Sequence, residues 1–228
     1  YLLEKTSNLP AKNLVEHGYS RLDVIIQETA NHTITSKPAK VSKHILIAPS
    51  WGENGIIEII GQQLVEILLA QGFKVTLRPH PQTVKLVGDK VEKIVRQHGK
   101  NPLFNLEIKM ASQESFHQSD LMISDWSGVA LEYAFGLNKP VLFFDVPRKV
   151  NNPYYEEIGI VPLEVSIRSE IGAILSIDEL HNIANKINSL LSDNNKEQEK
   201  LCAKTVFNLG AADRVGAQEL QKLIKENI

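Results

Sequence analysis

Residues 121–136 read LMISDWSGVALEYAFG, and this stretch carries the strongest fold signal in the chain. It opens on a short apolar run that is typical of a buried parallel strand. A polar loop follows, and a helical pattern of apolar residues then covers 129–135 and stops at Gly136, a common helix terminator. A strand, a loop and a helix in this order predict one βα unit, with the loop at the carboxyl end of the strand.

The same unit recurs on both sides of this stretch. Strand-like apolar runs alternate with helical patterns, the former at 44–48, 73–77, 106–108 and 140–145 and the latter at 58–71, 84–98 and 112–118. This alternation predicts right-handed βαβ crossovers, and hence an α/β fold: a Rossmann-like parallel sheet with helices on both faces. Beyond a proline-rich loop at 147–162, the pattern predicts a strand at 161–165 and helices at 178–191, 194–208 and 213–225.

The composition is that of a soluble globular domain. Of the 228 residues, 43% are hydrophobic and 23% are charged, which argues against wholesale disorder. The net charge of -2 lacks the basic excess of a nucleic-acid binder. The single cysteine, Cys202, excludes an internal disulfide and a thiolate-rich metal site.

The two ends of the chain differ in character. Residues 1–40 fit the α/β pattern poorly, so we expect the tail of a preceding domain and a linker there, and one Rossmann-like domain over 41–228. The start of the chain lacks the features of a signal peptide. Its apolar runs also fall short of the ~20 residues that span a bilayer. A cytoplasmic domain of a longer protein is the expectation.

The loop after the predicted strand at 121–124 is the strongest candidate site, because open parallel sheets bind ligands beyond the carboxyl ends of their strands. The N–H groups at the following helix start favour an anion. The hydroxyls of Ser124 and Ser127 add donors, and Gly128 allows close approach of a ligand to the backbone. A carboxylate at Asp125 suits a hydroxyl or an oriented histidine. Alternatively, Ser127 or Asp125 merely caps the helix.

Arg78-Pro79-His80-Pro81 forms the second candidate loop. The two prolines restrict the backbone around His80, and a rigid histidine beside an arginine suits the binding of a diphosphate or the protonation of a leaving phosphate. The alternative is a surface turn in which Arg78 is solvated.

The third loop, 49–55, contains Ser50 and Trp51. Trp51 either stacks on a base or ribose or fills a domain interface. Glu132, in the helix after Gly128, either accepts from ribose hydroxyls or lies on a solvated face. The chain contains no G-x-G-x-x-G, no P-loop and no G-x-S-x-G, so neither a dinucleotide cofactor nor ATP hydrolysis is indicated. No constellation requires a metal, and no cofactor is expected.

Five short segments occur in an order that resembles a known family: GYSRLD at 18–23, IAPSW at 47–51, RPHP at 78–81, SDWSG at 124–128 followed by EYA at 132–134, and NKPVLF at 138–143. Together they look like the carboxyl-terminal half of the CDP-glycerol glycerophosphotransferases of teichoic-acid and capsule synthesis. The resemblance implies a GT-B transferase, of which this chain is the C-terminal nucleotide-binding domain. It further implies a CDP-linked polyol donor, a lipid-linked or polymer acceptor, a partner N-terminal domain of the same protein, and a peripheral place at the inner face of the cell membrane.

The resemblance also implies which residues act. His80, Ser124, Asp125 and Ser127 would hold the diphosphate, and His80 would also be the acid for the departing CMP. Combined with the loop reading, the candidate catalytic residues are His80 and Asp125. The candidate nucleotide and phosphate contacts are Ser50, Trp51, Arg78, His80, Ser124, Asp125, Ser127, Gly128 and Glu132.

The function expected on this basis is the transfer of a glycerol-phosphate unit with release of CMP. The family's proposed general base lies in the amino-terminal domain, so we expect residues 1–228 alone to bind nucleotide without turnover. Two alternatives stay open: a GT-B glycosyltransferase that uses a UDP- or CMP-sugar, and a non-catalytic nucleotide-binding module. A purely structural domain fits poorly with three polar loops at one sheet edge.

Overall fold

Six parallel strands form one sheet in the computed structural model, which describes residues 10, 14–33, 42–109, 113–148, 150, 152, 154–193 and 196–226. The order across the sheet is β3-β2-β1-β4-β5-β6. The strands are β1 (His44–Ile47), β2 (Lys74–Leu77), β3 (Phe104–Leu106), β4 (Leu121–Ser124), β5 (Val141–Phe144) and β6 (Gly172–Leu175). The order reverses between β1 and β4, which makes their carboxyl ends the expected ligand-binding crevice.

Helices connect the strands and cover both faces of the sheet. They are α1 (Ser20–Thr33), α2 (Ile56–Ile59), α3 (Gly61–Ala70), α4 (Pro81–Leu86), α5 (Gly88–His98), α6 (Glu114–Gln118), α7 (Val129–Leu137), α8 (Leu163–Ser166), α9 (Ile183–Ser192), α10 (Lys196–Thr205) and α11 (Ala212–Glu226). Short 3₁₀ helices lie at Tyr155–Ile158 and Ile177–Asn182. Within the described ranges, none of these helices has the length and apolar character needed to cross a membrane.

Each sheet face carries its own apolar core. Alternate residues of β1 point to opposite faces, so Ile45 and Ile47 join the core under α3, α5 and α9, whereas Leu46 joins the core under α1 and α7. The four residues of β1, and likewise those of β4 and β5, are all buried. Burial on both faces is why these strands read as continuous apolar runs instead of alternating ones.

The predicted α/β fold and parallel sheet are confirmed, but several boundaries were wrong. The predicted strand at 161–165 is instead helix α8, and the real last strand, β6, went unpredicted. The helix predicted at 84–98 is two helices, α4 and α5. Gly136 lies inside α7, which ends one residue later at Leu137 and is capped by Asn138, whose φ of 51° is left-handed. Ser112, a predicted helix cap, falls outside the described residues.

Helix α1 belongs to the segment predicted to be a tail and linker, yet it packs on α7 of the Rossmann-like domain. Its Leu22 and Ile25 are each 2% exposed and join the core on that face. Asp23, on its first turn, accepts hydrogen bonds from the N–H groups of Gly210 and Ala212 at 2.7 and 3.0 Å, and so caps the start of α11. The segment therefore stabilises the domain through both packing and capping.

We predict that Gly136→Ala destabilises the fold by about 2 kcal/mol, because overpacking of this size typically costs 1–3 kcal/mol. A Cβ at Gly136 would lie 2.4 Å from Ile25 Cγ2 and 3.1 Å from Ile25 Cβ, so α1 must move away. Gly88→Ala is the matched control, because a Cβ there meets nothing within 4 Å. Urea unfolding measures both variants, and equal midpoints for the two would contradict the α1–α7 contact.

Candidate active site

The three predicted loops meet at one edge of the sheet. The ends of β1, β2 and β4 are in register, with Ile47 opposite both Leu77 and Ile123. Backbone hydrogen bonds continue just beyond these pairs, from Arg78 N to Ile47 O at 2.8 Å and from Ala48 N to Ile123 O at 2.9 Å. The loops that follow the three strands therefore leave the sheet side by side.

The start of α7 presents backbone donors at this edge. Among the described residues, no hydrogen bond uses the N–H groups of Ser127, Gly128 or Val129, and none uses the Ser127 hydroxyl. Gly128 is exposed, and the helix that follows is 9 residues long. Unsatisfied N–H groups together with the positive end of the helix dipole make this helix start able to bind an anion.

Asp125 and Ser124 brace the loop from beneath. Asp125 is 1% exposed, and its two carboxylate oxygens accept from Ser50 N at 2.7 Å and from Ile56 N at 3.4 Å. The Ser124 hydroxyl donates to the carbonyl of Ala48 at 2.8 Å. These bonds tie the loop after β4 to the loop after β1. The alternative in which Asp125 caps α7 is wrong, since its partners lie elsewhere. Its predicted catalytic role stays a prediction.

His80 lies beside Trp51 and caps helix α4. The two rings are stacked, with centroids 6.0 Å apart and planes 27° from parallel. His80 Nδ1 accepts from the N–H of Gln82 at 3.1 Å. Because Nδ1 is an acceptor, the neutral ring carries its proton on Nε2, so Nε2 is the hydrogen-bond donor of the ring. Ser50 links the first and third loops, because its N–H bonds Asp125 and it directly precedes Trp51, which stacks on His80.

Arg78 is buried beneath the second loop, which contradicts one of the two sequence-based alternatives. It is 3% exposed, so the solvated surface turn is wrong. Its Nη1 lies 3.3 Å from both Ser115 Oγ and Glu107 Oε1, and its guanidinium lies 4.8 Å from the centre of the Phe116 ring. Burial lowers the pKa of Arg78, and Glu107 opposes that shift. Arg78 therefore braces the second loop, and its contact with a nucleotide stays a prediction.

Glu132 accepts hydrogen bonds from two side chains, one just before α1 and one in the first turn of α1. Tyr19 Oη donates to Glu132 Oε1 at 2.6 Å, and Arg21 Nε donates to Oε2 at 2.7 Å. Burial, followed by the bond to Glu132, raises the pKa of Tyr19 to about 12. The side chain of Glu132 is 13% exposed, so the solvated-face alternative is wrong. Its predicted role in binding ribose stays a prediction.

Trp126, in the loop after β4, contacts an arginine that the sequence analysis did not identify. Trp126 Nε1 donates to the carbonyl of Val146 at 3.0 Å, and the guanidinium of Arg168 lies 4.0 Å from the centre of the Trp126 rings. Arg168 also bonds Asp145 Oδ1 at 3.3 Å. Arg168 precedes a strand that was not predicted and belongs to no recognisable motif, so no sequence signal pointed to it.

A cavity of about 560 Å³ opens next to the start of α7. Its lining includes Gly128 and Glu132 together with apolar residues such as Leu22, Phe135 and Phe207. Glu164, also on its wall, has a carboxylate oxygen 4.0 Å from where a Cβ on Gly128 would lie. The same described ranges contain no cluster of His, Cys, Asp and Glu able to hold a metal ion.

Solved structures share this fold. A variant of the wall teichoic acid polymerase TagF soaked with CDPG is 19% identical, with a TM-score of 0.58, and the match covers 99% of this chain and 54% of that one. UDP-GlcNAc 2-epimerase from Methanocaldococcus jannaschii, in complex with UDP-GlcNAc and UDP, is 14% identical with a TM-score of 0.57, covering 95% and 57%. The Neisseria meningitidis epimerase is 18% identical with a TM-score of 0.52, covering 96% and 57%.

This chain thus spans between 54% and 57% of the length of these three structures, and the likeness establishes a GT-B-like α/β fold. No curated protein is significantly similar to it in sequence. The family model of the CDP-Glycerol:Poly(glycerophosphate) glycerophosphotransferases, however, matches residues 2–202, most of the chain and all of the loops described above. The family named from short motifs is thereby confirmed. This chain belongs to the CDP-glycerol:poly(glycerophosphate) glycerophosphotransferase family.

Proposed function

We propose that this chain is the donor-binding half of a transferase that moves a glycerol-phosphate unit from a CDP-linked donor to a cell-surface polymer acceptor and releases CMP. The observation that carries the proposal is the set of unbonded N–H groups at the start of α7, among the described residues, at the same edge of the sheet as the stacked rings of His80 and Trp51. A helix start and an imidazole at one rim suit a diphosphate.

The chemistry assigned to this chain is positioning and charge stabilisation. The acceptor hydroxyl attacks the phosphorus that carries the glycerol, a new P–O bond forms, and the bond from that phosphorus to the bridging oxygen of CMP breaks. Negative charge grows on the departing CMP, where the amides of 127–129 and His80 Nε2–H offset it. The base that takes the hydroxyl proton belongs to the other half of the enzyme, so residues 1–228 alone bind nucleotide without turnover.

Partners and location follow from the same proposal. The other half of the enzyme is an N-terminal domain that faces this one across a cleft, as expected for a GT-B transferase. The acceptor is a lipid-linked or growing polymer, which places the enzyme in the cytoplasm at the inner face of the cell membrane. A transferase or epimerase that acts on a UDP-sugar is the second candidate, because the epimerases named above share the fold with similar TM-scores.

Calorimetric titration of the 228-residue chain with CMP, CDP, UMP, UDP and CDP-glycerol separates these functions. The proposal predicts tighter binding of cytidine nucleotides, and tighter binding of CDP and CDP-glycerol than of CMP because the second phosphate reaches the α7 start. Preference for uridine nucleotides would favour the second candidate. Indifference to all five ligands would overturn the proposal.

Gly128→Pro and Gly128→Ala form a matched pair for the anion site. Gly128 has φ of −60° and ψ of −20°, a φ that proline adopts readily, and its N–H makes no hydrogen bond among the described residues. Proline therefore deletes one donor without breaking a hydrogen bond among the described residues. We expect Gly128→Pro to weaken the binding of CDP roughly tenfold, because it loses a charge-assisted hydrogen bond to phosphate, which is stronger than a neutral one. Gly128→Ala keeps the N–H, so its affinity for CDP should change by less than about threefold. Equal affinities would place the diphosphate elsewhere.

A further inference from the structure

Arg168 is a buried cation beneath the loop that carries the proposed anion site. It lies between α8 and β6 and is 3% exposed. Its Nη2 donates to the carbonyl of Phe144 at 3.2 Å, and its Nη1 to Asp145 Oδ1 at 3.3 Å. Within the described part of the chain, its buried Nε has no hydrogen-bond partner. A charge buried this deeply, and only partly paired, needs a reason to be there.

The guanidinium lies against the loop itself. Its carbon is 4.0 Å from the centre of the Trp126 rings and 5.2 Å from the centre of the Phe143 ring. Trp126 directly precedes Ser127, one of the three residues whose N–H groups are unbonded among the described residues. The residue on which Arg168 stacks is therefore the direct neighbour in sequence of the donors expected to hold phosphate.

Two carboxylates make this charge necessary for an anion to bind. Asp125 is 1% exposed and lies two residues before Ser127, so its negative charge is close to the anion site and poorly screened. Asp145, at the end of β5, adds a second negative charge, although its side chain is 59% exposed. Arg168 interacts electrostatically with both. Without Arg168, the negative charges of Asp125 and Asp145 would be uncompensated and would repel a phosphate bound at this loop.

We propose that Arg168 is a positioning residue whose buried positive charge offsets Asp125 and Asp145, and so allows the loop after β4 to bind a phosphate group. The inference rests on the proposed function, because it assumes that the start of α7 is the phosphate site. It assigns Arg168 no contact with the ligand. Its effect is exerted through charge, so it differs from the bracing that Trp126 and the backbone already provide.

The test compares three variants of the 228-residue chain by calorimetric titration with pyrophosphate and with cytidine. Arg168→Gln removes the positive charge. By Coulomb's law at an intermediate dielectric constant, we expect it to lower the affinity for pyrophosphate roughly tenfold. Arg168→Lys keeps the charge and loses the planar fork, and should stay within about threefold of the unchanged chain. Asp145→Asn removes a negative charge and should bind pyrophosphate as tightly or more tightly. Cytidine has no phosphate, so its affinity should be the same in all variants.

The signs of these changes separate charge from architecture. If Arg168 and Asp145 form a merely structural ion pair, all three variants should bind pyrophosphate more weakly, and Arg168→Lys should bind it no better than Arg168→Gln. That pattern would overturn the inference. Unchanged binding by Arg168→Gln would overturn it too, while leaving the proposed function intact. If the unchanged chain binds no pyrophosphate, the proposed function and this inference fail together. Should Arg168→Gln not fold, the other two variants still decide the matter: affinity retained in Arg168→Lys and equal or tighter in Asp145→Asn supports the inference, and weaker pyrophosphate binding in both overturns it.

Discussion

Replacing His80 with Asn is expected to lower turnover of the full-length transferase roughly 10²–10³-fold, the range typical of losing a group that donates to a leaving group. The physical reason is the ring's second nitrogen. Nδ1 accepts the N–H of Gln82, so Nε2 is the nitrogen that would donate to a departing phosphate. An asparagine oxygen replaces Nδ1 as the cap but provides no imidazole proton.

The two His80 variants separate catalysis from stability. Asparagine is a good helix cap, so His80→Asn should unfold at the same urea concentration as the unchanged chain. His80→Ala loses the cap as well as the ring, and should cost about 1 kcal/mol of unfolding free energy in addition to the lost turnover. Transfer activity that survives in His80→Asn would remove His80 from the mechanism and favour a non-catalytic nucleotide-binding module.

The largest loss of stability is expected for Asp125→Ala, about 3 kcal/mol, because it leaves two buried donors without an acceptor. The donors are Ser50 N and Ile56 N, on either side of the loop that holds Trp51. Losing these two hydrogen bonds should also make that loop more mobile and weaken the binding of CDP. Urea unfolding and calorimetric titration of the same samples measure the two effects.

Asp125→Asn and Ser124→Ala complete that experiment. Asparagine keeps one acceptor oxygen, so its loss should be smaller than that of alanine. Ser124→Ala removes a single bond to the carbonyl of Ala48 and should cost about 1 kcal/mol. If Asp125→Asn abolishes transfer at unchanged stability and unchanged CDP affinity, the aspartate acts in the chemistry, as the sequence suggested, and the bracing role is secondary.

Several segments that identified the family turn out to organise the fold. In the segment at 138–143, Asn138 ends α7 with a left-handed φ of 51°. Lys139 Nζ donates to the carbonyls of Phe116, His117 and Ser119 at 3.2, 2.8 and 2.6 Å, and so ties α6 to the start of β5. In the segment at 18–23, Gly18 has a φ of 103°, Asp23 caps α11, and Arg21 grips Glu132. These residues of the family motifs therefore hold the fold together, and the motifs identified the family through them.

Errors in the prediction have a common physical cause. Buried strands are apolar on both faces and a short apolar run lacks a period, so 161–165 could not be told from a helix, and β6, with Gly172 and Ala173, looked unlike a strand. Gly172 is needed there because a Cβ would lie 1.8 Å from the carbonyl of Val141 on β5. That requirement comes from a neighbour about thirty residues away in sequence, and no local pattern records it.

The amino-acid order by itself determined the α/β class, the family, and the three loops at the carboxyl ends of β1, β2 and β4, because periodicity and turn chemistry are local properties. Only the tertiary structure decided what each polar side chain does. It buried Arg78 and Asp125 as braces, paired Glu132 with Tyr19 and Arg21, and set Arg168 under Trp126. Those roles depend on partners from distant segments, and a charge acquires its function from the burial and neighbours that folding gives it.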